Sequence, residues 1–131
     1  MRYALLTMVL ALASCVPTQT SGVDKIEVSI SKKVMKAGGK VIPVETSRYG
    51  LGTRPGSGCT PLGTYVVNPE YGHRFGPVLR PEGRQGSRGI LIHRDLSRGW
   101  GTNGCIAVPD YATAKWLVSN TKPGTELVIH R

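Results

Sequence analysis

In the stretch "ILIHRDLSRGWGTNGCIAVPD", residues 90–110, an apolar run ends at His93 and Cys105 stands where apolar sequence resumes. A thiol and an imidazole are the groups nucleophilic acyl chemistry needs. A thiol of ordinary acidity is mostly protonated at neutral pH, and a neighbouring imidazole can draw off its proton. The intervening loop, residues 94–104, can double back so that the two side chains meet. Gly104 lets a substrate approach the backbone closely, and the N–H groups of Asn103, Gly104 and Cys105 are placed to hold an oxyanion. Asp95 is the one acid near His93, so either that carboxylate or a backbone carbonyl must orient the ring. Three readings of Cys105 compete: a nucleophile, a buried core thiol, or a disulfide partner of Cys59. The polar, glycine-rich "TNGC" is unlike a core position, where cysteine behaves as a small hydrophobe. If the thiols stay free, Cys59 is expected to line the same cleft.

The elements that must carry this pair are mainly strands. "KIEVSI" (25–30) alternates apolar and polar residues at period two, with Ile26, Val28 and Ile30 on one face. "KAGG" (36–39) turns the chain, and "KVIPVET" (40–46) returns as a strand whose Pro43 suits a sheet edge. A glycine-dense loop (48–63) precedes the strand "TYVVN" (64–68), and residues 69–88 read as loop. "GILIH" (89–93) is short, apolar and β-branched, the pattern of a buried strand that ends at the histidine. One helix is expected over "PDYATAKWLVSN" (109–120), capped by Asp110, with Tyr111, Ala114, Leu117 and Val118 on its buried face. "KPGT" (122–125) stops it, and "ELVIH" (126–130) closes the chain as a strand. The fold class expected is mostly β, with one short helix near the C-terminus.

The 131 residues leave room for one domain, and 17 glycines with 9 prolines imply many turns. The formal charge of +9 suits solubility and attraction to anionic surfaces. Nucleic acid is not the expected partner, because the basic residues are scattered and aromatics make up only 6% of the chain. Arg80, Arg84 and Arg88 read as a solvated face, and His73 and His130 as solvated side chains. The start, "MRYALLTMVLALASC", reads as an export signal: a basic start and an apolar run too short to span a bilayer. "LASC" (12–15) resembles the bacterial lipobox, which implies a signal peptide over 1–14 and lipid on Cys15. An ordinary signal peptide cut after Ala13 or Ser14 is the alternative. Residues 15–24 then form a tether and 25–131 the domain, exported to the cell envelope, in the periplasm and held to a membrane by that lipid. In an oxidising compartment a Cys59–Cys105 bridge is a real competitor to catalysis. Metal and cofactor are not expected, since no ligand spacing suited to zinc occurs.

Three elements in order resemble the catalytic domain of the L,D-transpeptidase (YkuD-like) family: "TPLG" (60–63), "IH" (92–93) with "TNGCI" (102–106), and the terminal helix, "GT" turn and strand. The resemblance covers roughly residues 25–130. It implies an L,D-transpeptidase-like β-sandwich or barrel, with Cys105 as nucleophile and His93 as general base. It also implies that the carbonyl of Arg94 holds the other ring nitrogen and that the backbone at Asn103, Gly104 and Cys105 holds the oxyanion. The implied reaction is attack on a diamino-acid carbonyl in a peptidoglycan stem peptide, loss of D-alanine, and transfer of the thioester to an amine. Hydrolysis by water would make it an L,D-carboxypeptidase or endopeptidase, and a catalytically silent cell-wall-binding lipoprotein is the reading from another class. The enzyme is expected to act as a monomer. Three positions depart from the family pattern: Arg94 follows the histidine, Asn103 replaces a second histidine, and Ala107 stands where an arginine is usual. Arg94 and Arg98 are the expected substitutes for that arginine toward a substrate carboxylate, because a guanidinium fork suits one. Trp100 is expected to wall the cleft.

Overall fold

The structure, a computed structural model, describes residues 22–131; the segment expected as signal peptide, Cys15 and most of the expected tether lie outside the described residues. Strands β1 (Val23–Ser29), β2 (Val34–Ala37) and β3 (Lys40–Pro43) form an antiparallel ladder. The period-two pattern of β1 has its expected consequence: Ile26 and Val28 are fully buried, while Lys25 faces outward. β1 begins at Val23, so the last residues assigned to the tether are already in the sheet.

A long hairpin follows, β4 (Gly63–His73) and β5 (Gly76–Pro81), then a one-turn helix α1 (Arg84–Ser87). Short strands β6 (Ile92–Arg94) and β7 (Ile106–Val108) run parallel. Helix α2 (Tyr111–Ser119) and strand β8 (Thr121–His130) complete the chain. The eight strands form one sheet in the order β3-β2-β1-β8-β4-β5-β6-β7. β8 lies parallel to β1 and antiparallel to β4. The chain just beyond edge strand β3 reaches the opposite edge, where Glu45 and Ala107 exchange two backbone hydrogen bonds of 2.9 and 2.8 Å. The sheet is therefore rolled into a nearly closed barrel, which removes most of the exposed edge that an open sheet would carry.

The architecture is mostly β, as the sequence predicts, and its interior is one apolar cluster. Met35, Leu79, Ile92, Ile106, Leu127 and Ile129 from the sheet meet Ala114, Leu117 and Val118 of α2. Burying a side chain of this size contributes about 1.5–3 kcal/mol. Asp110 caps α2: its carboxylate accepts from the Thr113 N–H (2.8 Å) and hydroxyl (2.7 Å). Tyr111 departs from the predicted buried face. It is 52% exposed and leans over Gly76.

Two segments differ from the sequence reading. Residues 69–88, expected as loop, hold the end of β4, all of β5 and α1. Val78 and Leu79 are fully buried in β5. Prolines and glycines hid this strand, yet Pro77 lies between the pairs Glu70–Val78 and His73–Gly76, where the register shifts. A proline there removes no regular ladder bond. β8 also starts earlier than expected, at Thr121, with Pro123 and Gly124 exposed beside a register shift against β1.

Candidate active site

His93 is the middle residue of β6 and only 6% exposed. Its Nδ1–H donates to the carbonyl of Arg94 at 2.5 Å, which leaves Nε2 as the nitrogen free to act as a base. The tip of the β4–β5 hairpin delivers Phe75, whose ring packs on the imidazole at 4.9 Å between centroids, with His73 on its other side at 4.8 Å. Burial pushes the His93 pKa below its ordinary 6.5, against the opposing pull of the Arg94 hydrogen bond, so the ring is neutral at pH 7. Asp95 does not orient the ring. Its carboxylate accepts from Ser97 N–H (2.7 Å), Ser97 hydroxyl (2.8 Å) and Gly99 N–H (2.9 Å), bracing the loop that follows the strand. Burial raises this carboxyl, but those hydrogen bonds outweigh it and hold the pKa below the usual value.

Cys105 immediately precedes β7, beside Leu91 of the neighbouring segment. Its Sγ accepts from the Leu91 N–H and donates to the Gly89 carbonyl, both at 3.4 Å. Burial raises the thiol's pKa above the ordinary 9.0, only partly countered by the Leu91 N–H. The resting pair is thus a neutral thiol and a neutral imidazole. No hydrogen bond joins them in this resting arrangement, yet both line one cleft of about 400 Å³.

The "TPLG" element holds the loop that carries Cys105. Thr60 is fully buried; its hydroxyl donates to the Gly104 carbonyl (3.1 Å) and accepts from the Ser47 N–H (2.9 Å). Within the loop, the Thr102 hydroxyl donates to the Cys105 carbonyl (2.6 Å) and accepts from the Gly104 N–H (3.1 Å). Gly104 has φ +116, and a Cβ there would lie 2.6 Å from Ile90 Cδ1 and 2.9 Å from the Cys59 carbonyl oxygen. Only glycine fits. The Gly104 N–H is therefore engaged, whereas the N–H groups of Asn103 and Cys105 have no partner among the described residues.

The other predicted residues separate. The side chain of Arg94 turns away from the cleft, its Nε donating to the Phe75 carbonyl at 3.2 Å, so Arg94 serves the site through its backbone. Arg98 sits exposed at φ +56, and Trp100 is 81% exposed; neither lines the cleft. Their loop lines the cleft through Asp95, Leu96, Ser97 and Gly101 instead. Both cysteines are free thiols. Cys59 faces the carbonyls of Tyr49 (3.5 Å) and Ser57 (3.8 Å) and is not on the cleft wall, where it was expected. Residues not singled out as site residues in the sequence do line it: Phe75, Leu96, Arg48 and Arg88. Nothing local marks them, because three come from distant segments and become neighbours only when the barrel closes. A larger apolar groove of about 550 Å³ between β3 and α2 contains no histidine or cysteine and lies apart from this chemistry. Among the described residues, no group of three or more His, Cys, Asp or Glu side chains is arranged to hold a metal ion.

Residues 24–129 match the family model of the L,D-transpeptidase catalytic domain, YkuD. The chain belongs to this family. A comparison with curated protein sequences gave no match. Among solved structures, the chain is similar to L,D-transpeptidase 3 from Mycobacterium tuberculosis in complex with a faropenem-derived adduct. That pair has a TM-score of 0.61 and 17% identity over 84% of this chain and 60% of the other. An L,D-transpeptidase from Mycobacterium tuberculosis H37Rv gives 0.62 and 18%, over 84% and 59%. One from Xylanimonas cellulosilytica DSM 15894 gives 0.59 and 20%, over 92% and 68%. The chain thus spans about three fifths of the length of the mycobacterial structures, and at these identities the likeness is one of fold. In this YkuD domain the position of the usual arginine, Ala107, is 1% exposed within the seam that joins the sheet's edges.

Proposed function

We propose that the chain is a peptidoglycan L,D-transpeptidase in which Cys105 is the nucleophile and His93 the general base. The observation that carries this reading is the pair's shared cleft, with Nδ1 of His93 held by the Arg94 carbonyl so that Nε2 is left free. Because both groups rest neutral, the thiol gives its proton to Nε2 as it attacks, rather than waiting as a thiolate. The thiol must first turn from the Gly89 carbonyl toward the ring. Sγ then bonds to the carbonyl carbon of the stem peptide's diamino acid, and the N–H groups of Asn103 and Cys105 receive the oxyanion. The imidazolium returns its proton to the amine of the departing D-alanine, leaving a thioester. An amine of a second stem attacks the thioester, passes a proton to Nε2, and releases Cys105 as thiol. Export, lipid on Cys15, an envelope location and action as a monomer belong to the same proposal.

Incubation with purified tetrapeptide stems tests it. The expected result is a thioester adduct on Cys105 by intact mass, followed by cross-linked dimers, with both lost in Cys105→Ala. Shortened monomers alone assign hydrolysis, and a wall-binding function untouched by Cys105→Ala assigns a silent binding protein.

A further inference from the structure

The position of the family's usual arginine is empty of charge here, yet another guanidinium lines the thiol's cleft. Arg88 lies one residue after the α1 turn, in the segment that supplies the Gly89 carbonyl to Cys105. Its head is fixed on three acceptors: Nη1 donates to the Thr53 carbonyl (3.1 Å) and to Oε1 of buried Gln85, and Nη2 donates to the Cys59 carbonyl (3.4 Å). That Cys59 carbonyl is the atom that abuts Gly104, so the guanidinium is braced against the nucleophile loop itself. The turn that presents it is packed too tightly to drift, since a Cβ at Gly86 would lie 1.8 Å from the Pro81 carbonyl oxygen.

Among the described residues no carboxylate pairs with Arg88 or Arg48, whereas Lys25, Lys33 and Arg80 each have a carboxylate partner. Arg88 and Asn103 also line a second cleft of about 410 Å³, whose walls include Tyr49 and Ser57 and no acidic side chain. Arg88 therefore lines two clefts, sharing one with Cys105 and facing an acid-free wall in the other. A guanidinium spending its bonds on neutral carbonyls keeps its charge available and retains N–H groups for a carboxylate fork.

We propose that Arg88 is the carboxylate-recognising residue of this site, binding a free carboxylate of the substrate where it lines the two clefts. This rests on the acyl-transfer reading for the identity of the substrate but not for the existence of the anion site. The carboxylate comes either from the terminal D-alanine or from the second carboxyl of the diamino acid, and the site chemistry is the same for both.

The test separates anion binding from turnover. In the exported, full-length protein carrying Cys59→Ser, Cys105 is alkylated with anionic iodoacetate and with neutral iodoacetamide, and each rate is read by peptide mass. The ratio of the two rates is expected to fall about tenfold in Arg88→Gln, the weight of a charge-assisted hydrogen bond partly open to water, and by less in Arg88→Lys. An unchanged ratio in both variants overturns the proposal, even if stems are turned over. An Arg88-dependent ratio without any stem turnover keeps the anion site and sinks the transpeptidase reading. With active protein, Arg88→Gln is expected to raise KM about tenfold for the stem bearing the recognised carboxylate. Amidating that carboxyl should abolish the difference between wild type and variant, which assigns its source. An equal rise in KM for stems with either carboxyl amidated overturns the proposal.

Discussion

Thr60 is the residue through which the reasoning is most exposed to refutation, because its hydroxyl is the one side-chain link between "TPLG" and the nucleophile loop. Thr60→Val keeps the shape and removes the hydroxyl, stranding the Gly104 carbonyl and the Ser47 N–H. Each buried group left without a partner costs about 1–3 kcal/mol, and Ser47 is only part-buried, so the pair costs about 3 kcal/mol. Thr60→Ser keeps the hydroxyl and loses one methyl, at about 1 kcal/mol. Polarity here should thus outweigh apolar volume, the reverse of what a 0% exposed position in an ordinary core would show. Urea unfolding followed by tryptophan fluorescence reads the stabilities, and acylation of Cys105 by stem peptide reads the site. Thr60→Val should lose about 2 kcal/mol more than Thr60→Ser. Its acylation rate should fall roughly a hundredfold, the effect of an ångström-scale displacement of the loop, while Thr60→Ser stays within about threefold of wild type. A Val variant as stable and as reactive as the Ser variant would refute the link between the two motifs.

Acylation should rise with pH through a midpoint below 6.5, because burial depresses His93, and His93→Gln should lack that limb; a midpoint at or above 6.5 contradicts the burial argument. Stability should follow the same groups. Folded His93 binds a proton less readily than the unfolded chain does, so its contribution is present above 6.5 and is lost as pH falls through the folded value. Cys105 acts at the other end: its raised pKa makes stability decline as pH climbs above 9.0, and urea midpoints across both ranges check the two signs. Gly104→Ala meets Ile90 and the Cys59 carbonyl at a φ of +116 and should cost about 3 kcal/mol and abolish acylation; a stable, active Ala variant would show that the loop is not fixed as described.

Legibility in the sequence followed the range of the forces involved. Period-two alternation located β1, and the Asp110 cap located α2, because both patterns arise from neighbours along the chain. His93 and Cys105 were legible because a short apolar strand and a glycine-rich loop are also local signals, although the strand expected over 89–93 runs over Ile92–Arg94 and His93 is its middle residue. β5 was not. Its Leu79 is buried by distant core residues, including Ala114, Leu117 and Val118 of α2, and Pro77 and Pro81 look like breakers until the register shift gives the first of them a place. Arg88 was hidden for a related reason. Among Arg80, Arg84 and Arg88 nothing local distinguishes the side chain that pairs with Glu70 from the one that enters the cleft. Arg98 and Trp100 look attractive by their nearness to Cys105 in sequence, but both are exposed, and their loop lines the cleft through Leu96, Ser97 and Gly101.

The site and the closure of the barrel are one construction. The Glu45–Ala107 bridge joins the sheet's two edges, and the same strip of backbone continues into the active loop. The Thr102 N–H donates to the Thr46 carbonyl (2.9 Å), and the Arg48 N–H donates to the Thr102 carbonyl (3.0 Å). Thr60 then fastens Ser47 on one side to Gly104 on the other. The chain from Val44 to Arg48 is thus both the closing strip of the fold and the backing of the Thr102–Cys105 loop. A strip that does both cannot relax at the seam without moving the N–H groups of Asn103 and Cys105. This also bears on Ala107: its N–H and C=O are committed to the seam and its side chain is buried there, so the small residue serves closure. A charged recognition group is then better carried outside the seam, on the α1 turn, where Arg88 reaches the same cleft from a neighbouring segment.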